Sequence, residues 1–163
     1  MAKILGLEVS STELRYTYLR KNLQGFTLLK KGRLFARDFS LLRDPESLTR
    51  SIQELLAQEK LSPSKICLVL SNNDFIIHQT TPPKMTEDEL IAVIEGEIEG
   101  IPKFSNLDFD YIYTSSKLGE GKLRVLFCAM ARSTMNSYIQ AIEKTGARLE
   151  SLEVSPLNLL GLL

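Results

Sequence analysis

The chain has 163 residues, of which 44% are apolar, and its 20 Lys plus Arg balance 20 Asp plus Glu. That balance argues against a protein that grips nucleic acid through a basic surface, and the apolar share suffices for one domain or two small ones. No run of about 18 apolar residues exists, so no helical membrane span is expected, and Ser10 and Glu13 arrive too early for a secretory signal peptide.

Three strands are expected first, over Lys3–Val9, Leu14–Arg20 and Phe26–Phe35. The first runs into three hydroxyls, Ser10-Ser11-Thr12, and Asn22 to Gly25 supplies the next turn, which gives an antiparallel meander. A helix over Pro45–Glu59 follows. Asp44 serves as N-cap, Pro45 takes the first helical position, and Leu48, Ile52, Leu55 and Leu56 share one face. Ser62-Pro63 ends the pattern, and Lys65–Leu70 reads as a buried strand because Ile66–Leu70 is continuously apolar.

A second unit begins with the strand Phe75–Thr80, which Pro82-Pro83 terminates. Thr86-Glu87-Asp88-Glu89 is a capping box, and Leu90, Ile94, Ile98 and Ile101 follow on one helical face. Pro102 stops that helix. Two strands, Leu107–Ser115 and Lys122–Ala129, flank a loop over Lys117–Gly121. A helix over Ser133–Thr145 turns Met135, Tyr138, Ile139 and Ile142 inward and ends at Gly146. Arg148–Val154 is a further strand, and Pro156–Leu163 reads as the first turns of an apolar helix whose end at Leu162-Leu163 is expected to be a cut or processed boundary. Cys67 and Cys128 sit in apolar strand-like runs and read as buried thiols of a reducing compartment, not as a disulfide.

Four segments in register resemble the PilM-type actin-like proteins of type IV pilus assembly, with FtsA and the secretion protein GspL as more distant relatives. Gly6-Leu7-Glu8-Val9-Ser10-Ser11-Thr12-Glu13-Leu14-Arg15 is similar to the family's opening Gly-Leu-Asp-Ile-Gly-Ser-Ser-Ser-Ile-Lys. Pro83-Lys84-Met85-Thr86, leading to Glu89-Leu90, resembles Pro-x-Met-(Ser/Thr)-x-x-Glu-Leu. Ile101-Pro102 with Phe104, then Leu107–Tyr111, resembles Ile-Pro-Phe and the Leu-Asp-Tyr segment. Val125–Ala131, Gly146-Ala147 and Glu153–Pro156 resemble the closing strand, helix, Gly-Leu, strand and Asp-x-Glu-Pro.

The resemblance implies an α/β, ribonuclease H-like actin subdomain 1A, formed by 1–72 and 148–163, with an inserted β-α-β-β-α subdomain 1C over 73–147. The second actin-like half would be missing. It further implies a cytoplasmic scaffold peripheral to the inner membrane, without membrane insertion. Its partner would be the short cytoplasmic tail of a PilN-like membrane protein, held in a groove between the two subdomains. Alternatives are a GspL-like type II secretion subunit that binds a motor ATPase, and an ATP-binding or ATP-hydrolysing enzyme.

In the enzymatic reading Glu8, Ser10, Ser11, Thr12 and Arg15 would form a degenerate nucleotide site, in which Ser11 and Thr12 would hold phosphate oxygens, Arg15 would stand for the family's Lys, and Glu8 would help position Mg²⁺. The motif departs from that pattern at two places. A Cβ at Ser10 obstructs the backbone approach that Gly permits, and Glu8 is one methylene longer than the usual Asp, which the Mg²⁺ octahedron tolerates poorly. The bland reading is a polar hairpin turn. ATP and Mg²⁺ are then expected only in a longer parent chain.

The acidic residues Glu87, Asp88, Glu89, Glu95, Glu97 and Glu99 lack the Glu-x-x-His of a di-metal helix and read as a solvated face. His78 is the only histidine, has no nucleophile motif beside it, and reads as structural. Gly96 and Gly100, with Glu97 and Glu99 between them, do not form a membrane dimerisation face. No metal site and no catalytic set are expected, and partner-binding residues are not assigned.

Overall fold

Alternation in the first strands decides which face of the sheet is buried. The computed structural model describes residues 2–35, 45–71 and 73–155. Within them the order is β1 (Lys3–Ser10), β2 (Glu13–Asn22), β3 (Gly25–Phe35), α1 (Pro45–Gln58), β4 (Lys65–Ser71), β5 (Phe75–Thr80), α2 (Glu87–Glu99), β6 (Phe109–Leu118), β7 (Lys122–Ala131), α3 (Arg132–Glu143) and β8 (Arg148–Val154). The N-cap expected at Asp44 and the helix expected over 156–163 lie outside the described residues.

The described residues form two compact units, one drawn from both ends of the chain and one from Asn73–Asn136. The first is built on a five-stranded sheet in the order β3-β2-β1-β4-β8. The hairpins β1–β2 and β2–β3 are antiparallel, whereas β4 lies parallel to both β1 and β8. Register places Leu5, Leu7 and Val9 beside Tyr18, Tyr16 and Leu14 on one side and beside Ile66, Leu68 and Leu70 on the other. All nine are buried. The return strand Arg148–Val154 pairs with β4 from Lys65 to Leu70, as the sequence pattern requires.

Helix α1 buries Leu48, Ile52 and Leu55, three residues of its apolar stripe. Thr49 Oγ1 donates to the Ala141 carbonyl at 3.5 Å and Gln53 Nε2 to the Lys144 carbonyl at 3.3 Å. These bonds draw the second half of α3 into the first unit. The first compact unit takes in α3 from Ser137 onward.

The second unit has a three-stranded sheet in the order β5-β7-β6, with β7 antiparallel to both neighbours. Helix α2 covers one face, where Leu90, Ile94, Ile98 and Phe104 pack with Val125, Phe127, Ala129 and Ala131. Thr86 caps α2 in a reciprocal capping box: its Oγ1 accepts from Glu89 N–H, and Glu89 accepts from Thr86 N–H at 2.8 Å. The turn between β6 and β7 is Gly119-Glu120-Gly121, so β6 runs three residues further than the sequence pattern set it. Both thiols are free; Cys128 is buried and its pKa is pushed up to about 11 by desolvation, while Cys67 is only half-buried.

Two glycines are held differently. Gly32 lies under Tyr16, and a Cβ there would stand 2.8 Å from the ring. Gly96 is an exposed helical residue whose Cβ would meet nothing within 4 Å. Gly32→Ala is expected to destabilise by about 1–3 kcal/mol through overpacking, and Gly96→Ala to stabilise by up to about 1 kcal/mol through helix propensity. Urea midpoints of the two variants moving in the same direction would contradict this packing. The capping hydrogen bond holds the Glu89 carboxyl below its usual value of 4.5. A carboxyl lowered in the folded state stabilises above its unfolded pKa and loses that contribution as pH falls through the folded one. The stability gap between wild type and Glu89→Gln is thus expected above pH 4.5 and should close in acid; a gap independent of pH in thermal melts would refute it.

Candidate functional site

The parallel register of β1, β4 and β8 brings the hydroxyl turn to the carboxyl ends of three strands, where open α/β sheets place their ligands. Ser10 pairs with Ser71 and Glu8 with Val69 across β1–β4, while Glu8 faces Arg15 across the hairpin. All five residues of the candidate motif, Glu8, Ser10, Ser11, Thr12 and Arg15, stand at this end of the sheet.

The turn is closed by its own side chain. Ser10 Oγ accepts from Thr12 N–H at 3.2 Å and from Glu13 N–H at 3.0 Å, and donates to the Glu13 carbonyl at 3.0 Å. This is the local side-chain to backbone bonding by which serine competes with other partners for amides. Two amides of the turn are thereby satisfied. The Ser11 and Thr12 side chains are exposed, and Thr12 Oγ1 lies 3.4 Å from Ser10 Oγ.

Beneath the turn the charges are paired in a chain. Ser71 Oγ donates to Glu8 Oε1 at 2.6 Å, and Glu8 Oε2 is 3.5 Å from the Arg15 guanidinium. Arg15 also holds Glu13, with Nε at 2.6 Å and a terminal nitrogen at 2.5 Å from Oε1. Those two carboxylates, Glu13 foremost, raise the Arg15 pKa further above its usual value. Glu13 is buried, and its Oε2 has no hydrogen-bond partner among the described residues. Glu8 and Arg15 thus form, with Glu13 and Ser71, a network whose cation is Arg15, while Ser11 and Thr12 stay exposed above it. In this arrangement the Glu8 carboxylate and the Thr12 and Glu13 amides already have partners within the chain. Sequence reasoning assigned no role to Glu13 or Ser71: nothing local marks Glu13 as buried, and Ser71 meets Glu8 only through strand register.

The other candidates are distributed over the second unit. His78 Nε2 lies 3.3 Å from Glu97 Oε2, and its ring sits 5.4 Å from that of Phe127. Thr80 Oγ1 donates to the other Glu97 oxygen at 2.7 Å. On the opposite flank of α2, Tyr113 donates to Glu87 and Tyr111 to Glu95, each at 3.1 Å. Arg132 makes a two-pronged ion pair with Asp110, at 3.1 and 2.9 Å. Next to that pair lies a cleft of about 420 Å³ lined by Glu95, Glu99, Leu107, Asp108, Asp110 and Arg132, with Phe109 and Tyr111 alongside. Among the described residues no group of three or more His, Cys, Asp or Glu is arranged to hold a metal ion, and no helix is long and apolar enough to cross a membrane.

No protein-family model matches the chain, and no curated protein matches it. Solved structures do. A chain of the PilM–PilN type IV pilus biogenesis complex superposes with a TM-score of 0.70 at 22% identity, over 94% of this chain and 47% of that one. The cytoplasmic domain of EpsL, an inner-membrane component of the type II secretion system of Vibrio cholerae, gives 0.60 at 13% identity, over 94% and 57%. The chain therefore spans about half the length of each. At these identities the likeness is one of fold, and that fold is actin-like: the five-stranded sheet with a unit inserted between β4 and β8.

Replacing Ser10 by Gly removes the acceptor for two amides. Ser10→Gly is expected to cost about 1 kcal/mol in urea unfolding; unchanged stability would mean that the turn does not depend on the Ser10 hydroxyl.

Proposed function

We propose that this chain is the actin-like half of a non-enzymatic scaffold in an inner-membrane pilus assembly, where it holds the short cytoplasmic tail of a PilN-like membrane protein. The observation that carries the reading is the closed turn. Ser10 occupies the amides and Arg15 the carboxylates that a nucleotide complex would need. A fold that elsewhere serves ATP chemistry is left here with surface for partners. The likeness to a chain of the PilM–PilN complex supports a pilus setting. The likeness to the EpsL cytoplasmic domain supports the second reading, a type II secretion subunit that docks a motor ATPase. In both readings the chain works on the cytoplasmic side of the inner membrane, and ATP with Mg²⁺ belongs only to a longer parent chain.

Titration calorimetry with Mg-ATP and fluorescence anisotropy with a labelled tail peptide separate these readings from an enzyme. Mg-ATP is expected to give no binding in the micromolar range, which corresponds to about −8 kcal/mol. A tail that orders only when bound gives up entropy, so its affinity is expected to be modest, at about micromolar, and indifferent to Mg-ATP. Micromolar ATP binding, or tail binding that requires ATP, would replace the scaffold by a nucleotide switch.

A further inference from the structure

The long free edge of the second unit is β6. It pairs with β7 on one side, and no strand lies on its other side among the described residues. From Tyr111 to Ser116 it runs without a charge, a glycine or a proline, the devices that usually block strand addition at an edge. Ile112, at its middle, is 63% exposed, and Leu107, just before it, is 46% exposed. In an antiparallel pair alternate residues turn their N–H and C=O outward, so this edge offers a row of unpaired backbone groups.

The charge beside the edge selects what can add to it. The hydrogen bonds from Tyr113 to Glu87 and from Tyr111 to Glu95 show that α2 runs antiparallel to β6 with one flank over it. Glu87, Glu95 and Glu99 fall on that flank at multiples of four residues. At the start of β6 the flank meets Asp108 and Asp110, and only Arg132 opposes them in the cleft there. Glu99 has no hydrogen bond or ion pair among the described residues. The far end of β6 carries Lys117, with Lys122 and Arg124 beside it on β7, so the acidic character is confined to the start of the strand.

We infer that the free edge of β6 takes an extended, basic and apolar peptide segment of a partner protein as a fourth strand, with a Lys or Arg side chain in the acidic cleft and an apolar side chain beside Ile112. Main-chain hydrogen bonds supply affinity in such an addition, and alternate side chains supply register. The inference rests on the scaffold reading and deepens it. The cytoplasmic flanks of membrane spans are rich in Lys and Arg, and such a flank has the composition that this edge selects.

The test uses the whole chain and a labelled eight-residue peptide alternating Val and Lys, with its Val–Glu counterpart as control. The Lys peptide is expected to bind, to lose at least tenfold in affinity from about 50 to 500 mM salt, and to shift amide resonances of β6 and the Glu95–Glu99 flank; the Glu peptide should not bind. The triple variant Glu95→Gln, Glu99→Gln, Asp108→Asn should weaken binding at least tenfold with an unchanged melting temperature. Thr114→Pro and Ser115→Pro form a second arm: one of the two has its N–H outward, and that one should fold and lose binding. Unchanged binding by the triple variant, or resonance shifts confined to other strands, would overturn the assignment. So would self-association of the chain alone through β6 in sedimentation. A natural tail that binds but ignores these variants would sink this site and leave the scaffold reading standing. Tails that never bind, beside a Lys peptide that does, would sink the scaffold reading and leave the edge.

Discussion

The central strand β4 is the constraint on which the first unit depends. Ile66, Leu68 and Leu70 expose none of their surface to water. The strand bearing them is flanked by β1 from the start of the chain and by β8 from beyond the insert. A parallel neighbour cannot be reached through a tight turn; it needs a long crossover. Here one crossover is α1 and the other contains the entire second unit. Closing the second loop costs chain entropy that grows only slowly with its length, so an insert of this size is tolerated provided its two ends leave from β4 and return beside it. The insert's own core, centred on Ile94, Ile98, Phe104 and Phe127, contributes the burial that a floppy loop would lack.

That topology also fixes the fate of the first turn. Because β1 and β4 run parallel and in register, the hydroxyl of Ser71 comes within 2.6 Å of Glu8. Because β2 returns antiparallel, Arg15 falls opposite Glu8. Arg15 and Ser71 thereby satisfy Glu8 from both sides, and the turn itself is satisfied by Ser10. A carboxylate left alone at a strand end attracts a metal; one with an arginine and a hydroxyl has far less to gain from it. The core residues of β1, β2 and β4 hold the sheet beneath that turn.

Much of the architecture was legible in the residues themselves. Thr86 with Glu89 announced α2, and Leu90, Ile94 and Ile98 gave its buried face. Phe75–Thr80 and Arg148–Val154 occupy the bounds their apolar runs implied. The site was less legible. Polar residues obey no periodicity, and nothing in Glu13 shows that its side chain turns inward while those of its turn neighbours Ser11 and Thr12 stay exposed. The acidic helix read as a uniform solvated face, yet its two flanks differ. Glu97 serves His78 and Thr80 on β5, while Glu87 and Glu95 serve tyrosines on β6. The spacing of those glutamates is visible in sequence; which strand lies under each flank follows from the order β5-β7-β6, which no local pattern encodes.

The described strand edges are not equivalent. Along β3 the exposed Phe26 and Phe35 lie under Lys21 and Arg33, at 5.9 and 4.8 Å from their ring centres. The β2–β3 register slips between Tyr18 and Leu19, and Lys30, Lys31 and Arg33 line the strand. Such an edge repels its own kind and is bent out of true. β5 is short and ends before Pro82. β6 carries charge only near its two ends, at Asp110 and Lys117, and none from Tyr111 to Ser116. Of the described edges β3, β5 and β6, it is β6 whose uncharged centre sets the least obstacle to an added strand.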